Sequence, residues 1–142
     1  MARKLVTKLS KRPCFTLTEK DSLKSASEKL KNHNVGFMPV LNQNDKSVIG
    51  IISERDLARY IYKDEFNSNL LVGNIMTKNI ISCDLNTSVT QLMEIISSHK
   101  IRHVPIIEEK KLLGIVSIGD VVNHIIDQYK DENQQLRDFI NQ

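Results

Sequence analysis

Apolar and polar positions in this chain change period several times, and each change predicts an element. Residues 15–17 read as a short strand, after which Leu23, Ala26 and Leu30 fall at helical spacing behind Asp21, a residue type that caps helices. The helical pattern stops near Asn34 and Gly36. Residues 37–41 and 47–52 then read as two strands joined by a turn over 42–46 rich in Asn, Asp and Gln, and Ser53 opens a helix through Leu57, Ala58 and Ile61. Further along, the same order returns. A strand over 80–83 precedes Thr87 as helix cap, a helix carries Val89, Leu92, Met93 and Ile96, strands follow at 104–107 and 112–116, and a closing helix starts at Ser117. The fold expected is α+β of the α/β type, made of two βαββα units, each with an apolar helix face that needs a partner.

The recurrence extends to individual residues. Gly50-Ile51-Ile52-Ser53-Glu54-Arg55-Asp56 is matched by Gly114-Ile115-Val116-Ser117-Ile118-Gly119-Asp120, and each is preceded by an apolar strand containing a proline, Pro39 or Pro105. The prolines stand 66 positions apart and the aspartates 64, so the copies differ by two residues lost from the turn. The organisation expected is a basic arm over 1–12, a first repeat over 13–63, a linker over 64–79 that docks Leu70, Leu71 and Val72, a second repeat over 80–126 and a C-terminal helix over 127–142. On that last helix Tyr129, Leu136, Phe139 and Ile140 form an apolar stripe of about two heptads, too short for a free-standing coiled coil. It must rest on its own domain or on a second subunit.

Composition narrows the function classes. With 142 residues the chain can bury a real core without disulfide or metal staples. Cys14 and Cys83 have neither metal-ligand nor disulfide-framework spacing and read as ordinary thiols of a reducing compartment. The net charge of +3 comes from Arg3, Lys4, Lys8, Lys11 and Arg12, so the remainder carries about −2. A nucleic-acid binder is not indicated, and no apolar run reaches membrane-span or signal-peptide length. A soluble cytoplasmic protein with a solvated basic arm is expected.

The two Ser-x-x-Asp turns carry the candidate chemistry. Their simplest role is a capping box, in which serine and acid satisfy two backbone N–H groups at a helix start. The same arrangement also offers a helix N-terminus to an anion and a carboxylate to a ribose diol. Arg102 and His103 add cationic or donor groups before Pro105, where the first copy has Gly36 and Phe37. Other readings are weaker. The glycines around Ser117 do not have nucleophile-elbow spacing, and His99 and His103 are separated by the predicted end of a helix, which argues against a shared metal. No phosphate-binding Gly-x-x-x-x-Gly-Lys is present. A bound nucleotide would be read and not cleaved, so no enzyme and no catalytic cofactor are expected.

The arrangement over about 13–126, with Ile75-Met76-Thr77 ahead of the second copy, resembles a tandem pair of cystathionine-β-synthase (CBS) domains, as in small stand-alone bacterial CBS-pair proteins. The resemblance implies a Bateman module: two βαββα repeats related by pseudo-twofold symmetry, with two clefts that receive adenosine-containing ligands. It implies that Asp56 and Asp120 hold ribose, with Ser53 and Ser117 contacting ribose or phosphate and Ile118 among the ligand-binding residues. By similarity to the regulatory gamma subunit of AMP-activated protein kinase, Arg102 and His103 would reach phosphate at the Asp56 cleft, joined by Arg55, while backbone and apolar atoms around Thr16, Phe37 and Met38 hold adenine. At the Asp120 cleft, Gly119 replaces Arg55, so that cleft is expected to bind less tightly, to take a nucleoside or to stay empty. The function implied is a non-catalytic sensor of AMP, ADP, ATP or NAD, homodimeric through the CBS modules and the C-terminal helix. The alternative is a structural dimerisation module that binds no nucleotide.

Overall fold

The computed structural model describes residues 4–63, 67 and 69–142. In the first repeat, β1 (Leu17–Thr18) pairs in parallel with β2 (Phe37–Leu41), which runs antiparallel to β3 (Val48–Ser53). In the second, β4 (His103–Glu108) and β5 (Lys111–Ser117) form the equivalent antiparallel pair. The equivalence reaches the register. Phe37 lies opposite Ser53 as His103 lies opposite Ser117, and the pairing slips at Val40/Leu41 and again at Ile106/Ile107. The missing two residues leave Glu109 and Lys110 as the whole second turn, both at positive φ (49° and 67°), as a tight two-residue hairpin requires.

The strand expected over 80–83 contracts to one bridge. Cys83 donates its N–H to the Pro105 carbonyl (3.0 Å) and accepts from the Ile107 N–H (2.8 Å), but the Leu85 N–H goes to the Glu108 side chain instead of a strand (3.1 Å). Each repeat then has two main helices: α2 (Leu23–Asn32) and α3 (Glu54–Tyr62) in the first, α5 (Val89–His99) and α6 (Ile118–Ile140) in the second. The caps of α2 and α5 fall one residue later than expected, at Ser22 and Ser88. The reason is the same in both: Asp21 accepts from the Thr18 N–H (2.9 Å) and Thr87 from the Asp84 N–H (3.0 Å), so each closes the preceding turn and leaves the cap to its neighbour.

Two cores result, and the segment leading into each repeat packs into the core of the other. In the first core Leu23, Met38 and Ile52 are joined by Val72 and Ile75 of α4 (Val72–Ile75). In the second, Leu92, Val104 and Val116 are joined by Leu5 and Val6 of α1 (Leu5–Leu9). The expected solvated arm is therefore corrected: Lys8 on α1 faces water, but Leu5 and Val6 are 6% and 1% exposed. Removing two aliphatic side chains from water stabilises this docking by about 1.5–3 kcal/mol each. Close backbone passage marks both crossings. A Cβ on Gly114 would lie 2.7 Å from the Leu9 carbonyl oxygen, and one on Gly50 would lie 2.5 Å from the Met76 sulfur.

Of the expected linker, Val72 is buried and Leu71 is exposed, while residues 64–66 and 68 lie outside the described residues. The closing helix of the second repeat and the C-terminal helix are one continuous α6. Its stripe finds no cover from its own repeat: Tyr129 is 69% exposed and Phe139 72%.

Candidate functional site: two unequal clefts

Each cleft is built around the point where a strand becomes a helix. Ser53 ends β3 and caps α3, accepting from the Asp56 N–H (3.3 Å), while Asp56 Oδ2 accepts from the Ser53 N–H (2.9 Å) and hydroxyl (3.1 Å). Ser117 and Asp120 repeat this box at the start of α6. The neighbouring strands lock these turns at equivalent places: Glu54 N–H donates to the Gly36 carbonyl (3.0 Å) and Ile118 N–H to the Arg102 carbonyl (2.8 Å). The capping role is thus real in both copies. It does not exhaust the carboxylate in the first, where Asp56 Oδ1 has no hydrogen-bond partner among the described residues.

The first cleft is a cavity of about 440 Å³ between the repeats, within the usual range for small-molecule sites of about 300–1,000 Å³. One wall carries Ser53, Arg55, Asp56 and Arg59; the facing wall carries Ile101, Arg102 and His103. Apolar surface comes from Ile51, Ile81 and Phe37. Arg55 and Arg59 lie one helical turn apart on α3 and so share a face. A carboxylate with a free oxygen therefore shares one cavity with three guanidinium groups and an imidazole; Glu54 adds a second acid.

The second cleft, about 300 Å³, is its pseudo-symmetric counterpart. Phe15, Val35, Ile115 and Ser117 line it where Ile81, Ile101, Ile51 and Ser53 line the first. Phe37 and His103 belong to both, stacked with ring centroids 5.3 Å apart and planes 8° from parallel, as the partition between the clefts. Burial holds the His103 ring below its ordinary pKa, with Asp120 opposing and Arg102 reinforcing that shift, so the imidazole is neutral at pH 7.

The symmetry fails in the charged side chains: Arg55 and Arg102 have Gly119 and Gly36 as counterparts, and Arg12 has no counterpart lining the first cleft. Arg12 lies in the second cleft and grips Asp120 with two bonds, Nη1 to Oδ1 (3.0 Å) and Nη2 to Oδ2 (2.8 Å), while Nη2 also donates to the Ile115 carbonyl (2.8 Å). Burial alone would raise the Asp120 carboxyl. The hydrogen bonds from Arg12 and from Ser117 outweigh it and leave the carboxyl below its ordinary value. No cation pairs with Asp56 among the described residues.

Of the residues singled out from sequence, Ser53, Arg55, Asp56, Phe37, Arg102 and His103 come together in the first cleft. Ser117 lines the second; Asp120 does not line it and meets it only through Arg12, which does. Met38 does not line either cleft: it is fully buried in the first core, because alternation along β2 sends Phe37 to the cleft and Met38 to the opposite face. Thr16 and Ile118 also line neither, and Ile118 is exposed. Sequence reasoning missed Arg59, Asn79 and Arg12. Arg59 was within reach, being four residues from Arg55 on a predicted helix. Nothing local announces Arg12, whose partner is 108 residues away.

Comparison with known proteins agrees with this architecture. The CBS domain family matches the chain twice, over residues 6–63 and 72–127. The chain is 34% identical over 127 residues to a mitochondrial CBS domain-containing protein, CBSX3, of Arabidopsis thaliana, covering 87% of this chain but 62% of that relative's length. A CBS-domain protein of Agrobacterium tumefaciens superposes with a TM-score of 0.76 at 36% identity, covering 87% of this chain and 93% of that one. CBSX2, solved in complex with AMP, shares the fold at a TM-score of 0.75 and 20% identity, covering 90% of this chain and 99% of that one. Among the described residues no helix is long and apolar enough to cross a membrane.

Proposed function

The chain belongs to the CBS domain family, and on that premise we propose that it is a non-catalytic regulatory module that senses an adenosine nucleotide of the AMP, ADP, ATP or NAD class in the Asp56 cleft. One observation carries the reading: Asp56, with one oxygen unclaimed by its cap, opens into the same cavity as Arg102 and His103 of the other repeat. In this reading the free oxygen accepts from the ribose diol. Arg55, Arg59 and Arg102 take the phosphates, for which guanidinium geometry is suited. The apolar surface of Ile51, Ile81 and Phe37 takes adenine. Because the two walls come from different repeats, a ligand bridging them favours one relative arrangement, and a sensor requires such unequal affinity for two arrangements. The AMP complex of CBSX2 supports this ligand class by analogy of fold. Two free cysteines suit the reducing cytoplasm.

Thermal melting with a panel of adenine nucleotides tests the reading. At about a hundredfold the dissociation constant, a bound nucleotide adds about 2.7 kcal/mol of stability. Asp56→Ala is expected to remove that gain. A panel that leaves the melting temperature unmoved would favour the second reading, a dimerisation module without ligand. That reading draws on the apolar surface of Tyr62, Ile125, Tyr129, Phe139 and Ile140, all exposed in the monomer. Dimerisation itself is common to both readings, and we place a homodimer contact on these helices in either case.

A further inference from the structure

The contact between Arg12 and Asp120 has the form of a bound ligand. A guanidinium edge presents two parallel N–H donors, and a vicinal diol presents two O–H donors; either can satisfy both oxygens of one carboxylate. Arg12 meets both Asp120 oxygens, at 3.0 and 2.8 Å, and the Ile115 carbonyl fixes the plane of the group at 2.8 Å. Around it the second cleft keeps the apolar surface that its counterpart offers, from Phe15, Val35, Phe37 and Ile115. The arginine is also tethered. It follows α1, whose Leu5 and Val6 are buried in the second core, so its effective concentration at Asp120 is that of an intramolecular group. At the position 66 residues further on, Lys78 is exposed and lines neither cleft, and no cation occupies Asp56 among the described residues.

We propose that Arg12 is a built-in competitor that closes the Asp120 cleft, so that the module takes one adenosine ligand with Arg12 in place and a second only when Arg12 is withdrawn. This rests on the nucleotide reading of the Asp56 cleft and adds to it a self-occupied second site. A ligand for that site must bind the fraction of molecules in which Arg12 has let go, and its apparent affinity falls by that fraction. The cleft is therefore held shut from within the chain, and anything that draws the N-terminal segment away from the second repeat opens it.

Isothermal titration with AMP, and with adenosine in parallel, decides the matter using the full chain and the Arg12→Ala, Asp56→Ala and Arg12→Ala/Asp56→Ala variants. The expected result, counting sites of at least the unmodified affinity, is one equivalent for the unmodified protein, two for Arg12→Ala, none for Asp56→Ala and one for the double variant, the last abolished by adding Asp120→Ala. Arg12→Lys, which keeps the charge but not the paired donors, serves if Arg12→Ala melts too low to titrate, and is expected to admit the second equivalent as well. One equivalent in both the unmodified protein and the Arg12 variants overturns the competitor while leaving the Asp56 site standing. Two equivalents in the unmodified protein also overturn it. No equivalent in the unmodified protein and one in Arg12→Ala supports the competitor but removes the Asp56 reading, and no binding by any form removes both.

Discussion

The two clefts begin from the same sequence pattern and end chemically different. Both have a Ser-x-x-Asp cap, both are walled by the partner repeat, and both share the Phe37–His103 stack. The first surrounds its aspartate with arginines from α3 and from the facing repeat; the second gives its aspartate to Arg12 and offers mainly apolar surface besides. Duplication thus preserved the backbone device, whose strand register and capping hydrogen bonds are the same in both copies. The free charge around it diverged. A capping box leaves one carboxylate oxygen uncommitted, and what reaches that oxygen decides whether the turn is only structural.

The strongest expected difference between the halves lies in the crossings that build them. Gly114→Ala drives a Cβ against the Leu9 carbonyl at 2.7 Å and Ser10 Cα at 3.2 Å, both backbone. It is expected to cost about 3 kcal/mol of stability in urea unfolding, the upper part of the range for overpacking. Gly50→Ala meets the Met76 side chain at 2.5 and 2.8 Å, which can turn partly aside, and the Thr77 carbonyl at a looser 3.0 Å, and is expected to cost about 1–2 kcal/mol. Equal losses would mean that α1 is not held against β5 as tightly as α4 is against β3.

That crossing also shows what the sequence could and could not disclose. The prolines, the Ser-x-x-Asp turns and the two missing turn residues placed the repeats and most of the first cleft. The arm read as solvated because its five basic residues dominate its composition. Yet Leu5-Val6 recurs as Leu71-Val72 at the same 66-residue offset as the prolines, a signal that the duplication starts earlier than Pro13. The pairing of Arg12 with Asp120 had no such signal, since an ion pair between residues so far apart in sequence depends on how the arm crosses to the second repeat. The Met38 side chain faces the core for a local reason: it stands next to a cleft residue on a strand, where neighbours face opposite ways.

A smaller effect separates the clefts by pH. His103 is neutral because burial lowers its pKa, whereas a phosphate in the first cleft favours the imidazolium. Binding then takes up a proton. AMP affinity is expected to rise as pH falls from about 7.5 to about 6.5, by no more than about tenfold per pH unit, and His103→Gln should flatten the profile. Adenosine, lacking the phosphate, should show little of it.

The smallest expected effect belongs to the second cleft. Arg12→Ala removes a half-exposed ion pair worth about 1 kcal/mol or less at neutral pH. Because the folded Asp120 carboxyl is depressed, its contribution is present above the unfolded carboxylate value, about 3.9, and is lost as pH falls through the folded value. Acid titration of stability should therefore bring the variant and the unmodified protein together at low pH, and a gap that persists there would assign the loss to packing of the arm.

The account turns on which aspartate a ligand meets, and titrating AMP into Asp56→Ala and Asp120→Ala side by side tests this most directly. Asp56→Ala should lose binding by about tenfold to a hundredfold or more, as expected for removing a charged hydrogen-bond partner, while Asp120→Ala should bind as the unmodified protein does. Equal losses, or loss confined to Asp120→Ala, would contradict the assignment of the Asp56 cleft as the open site.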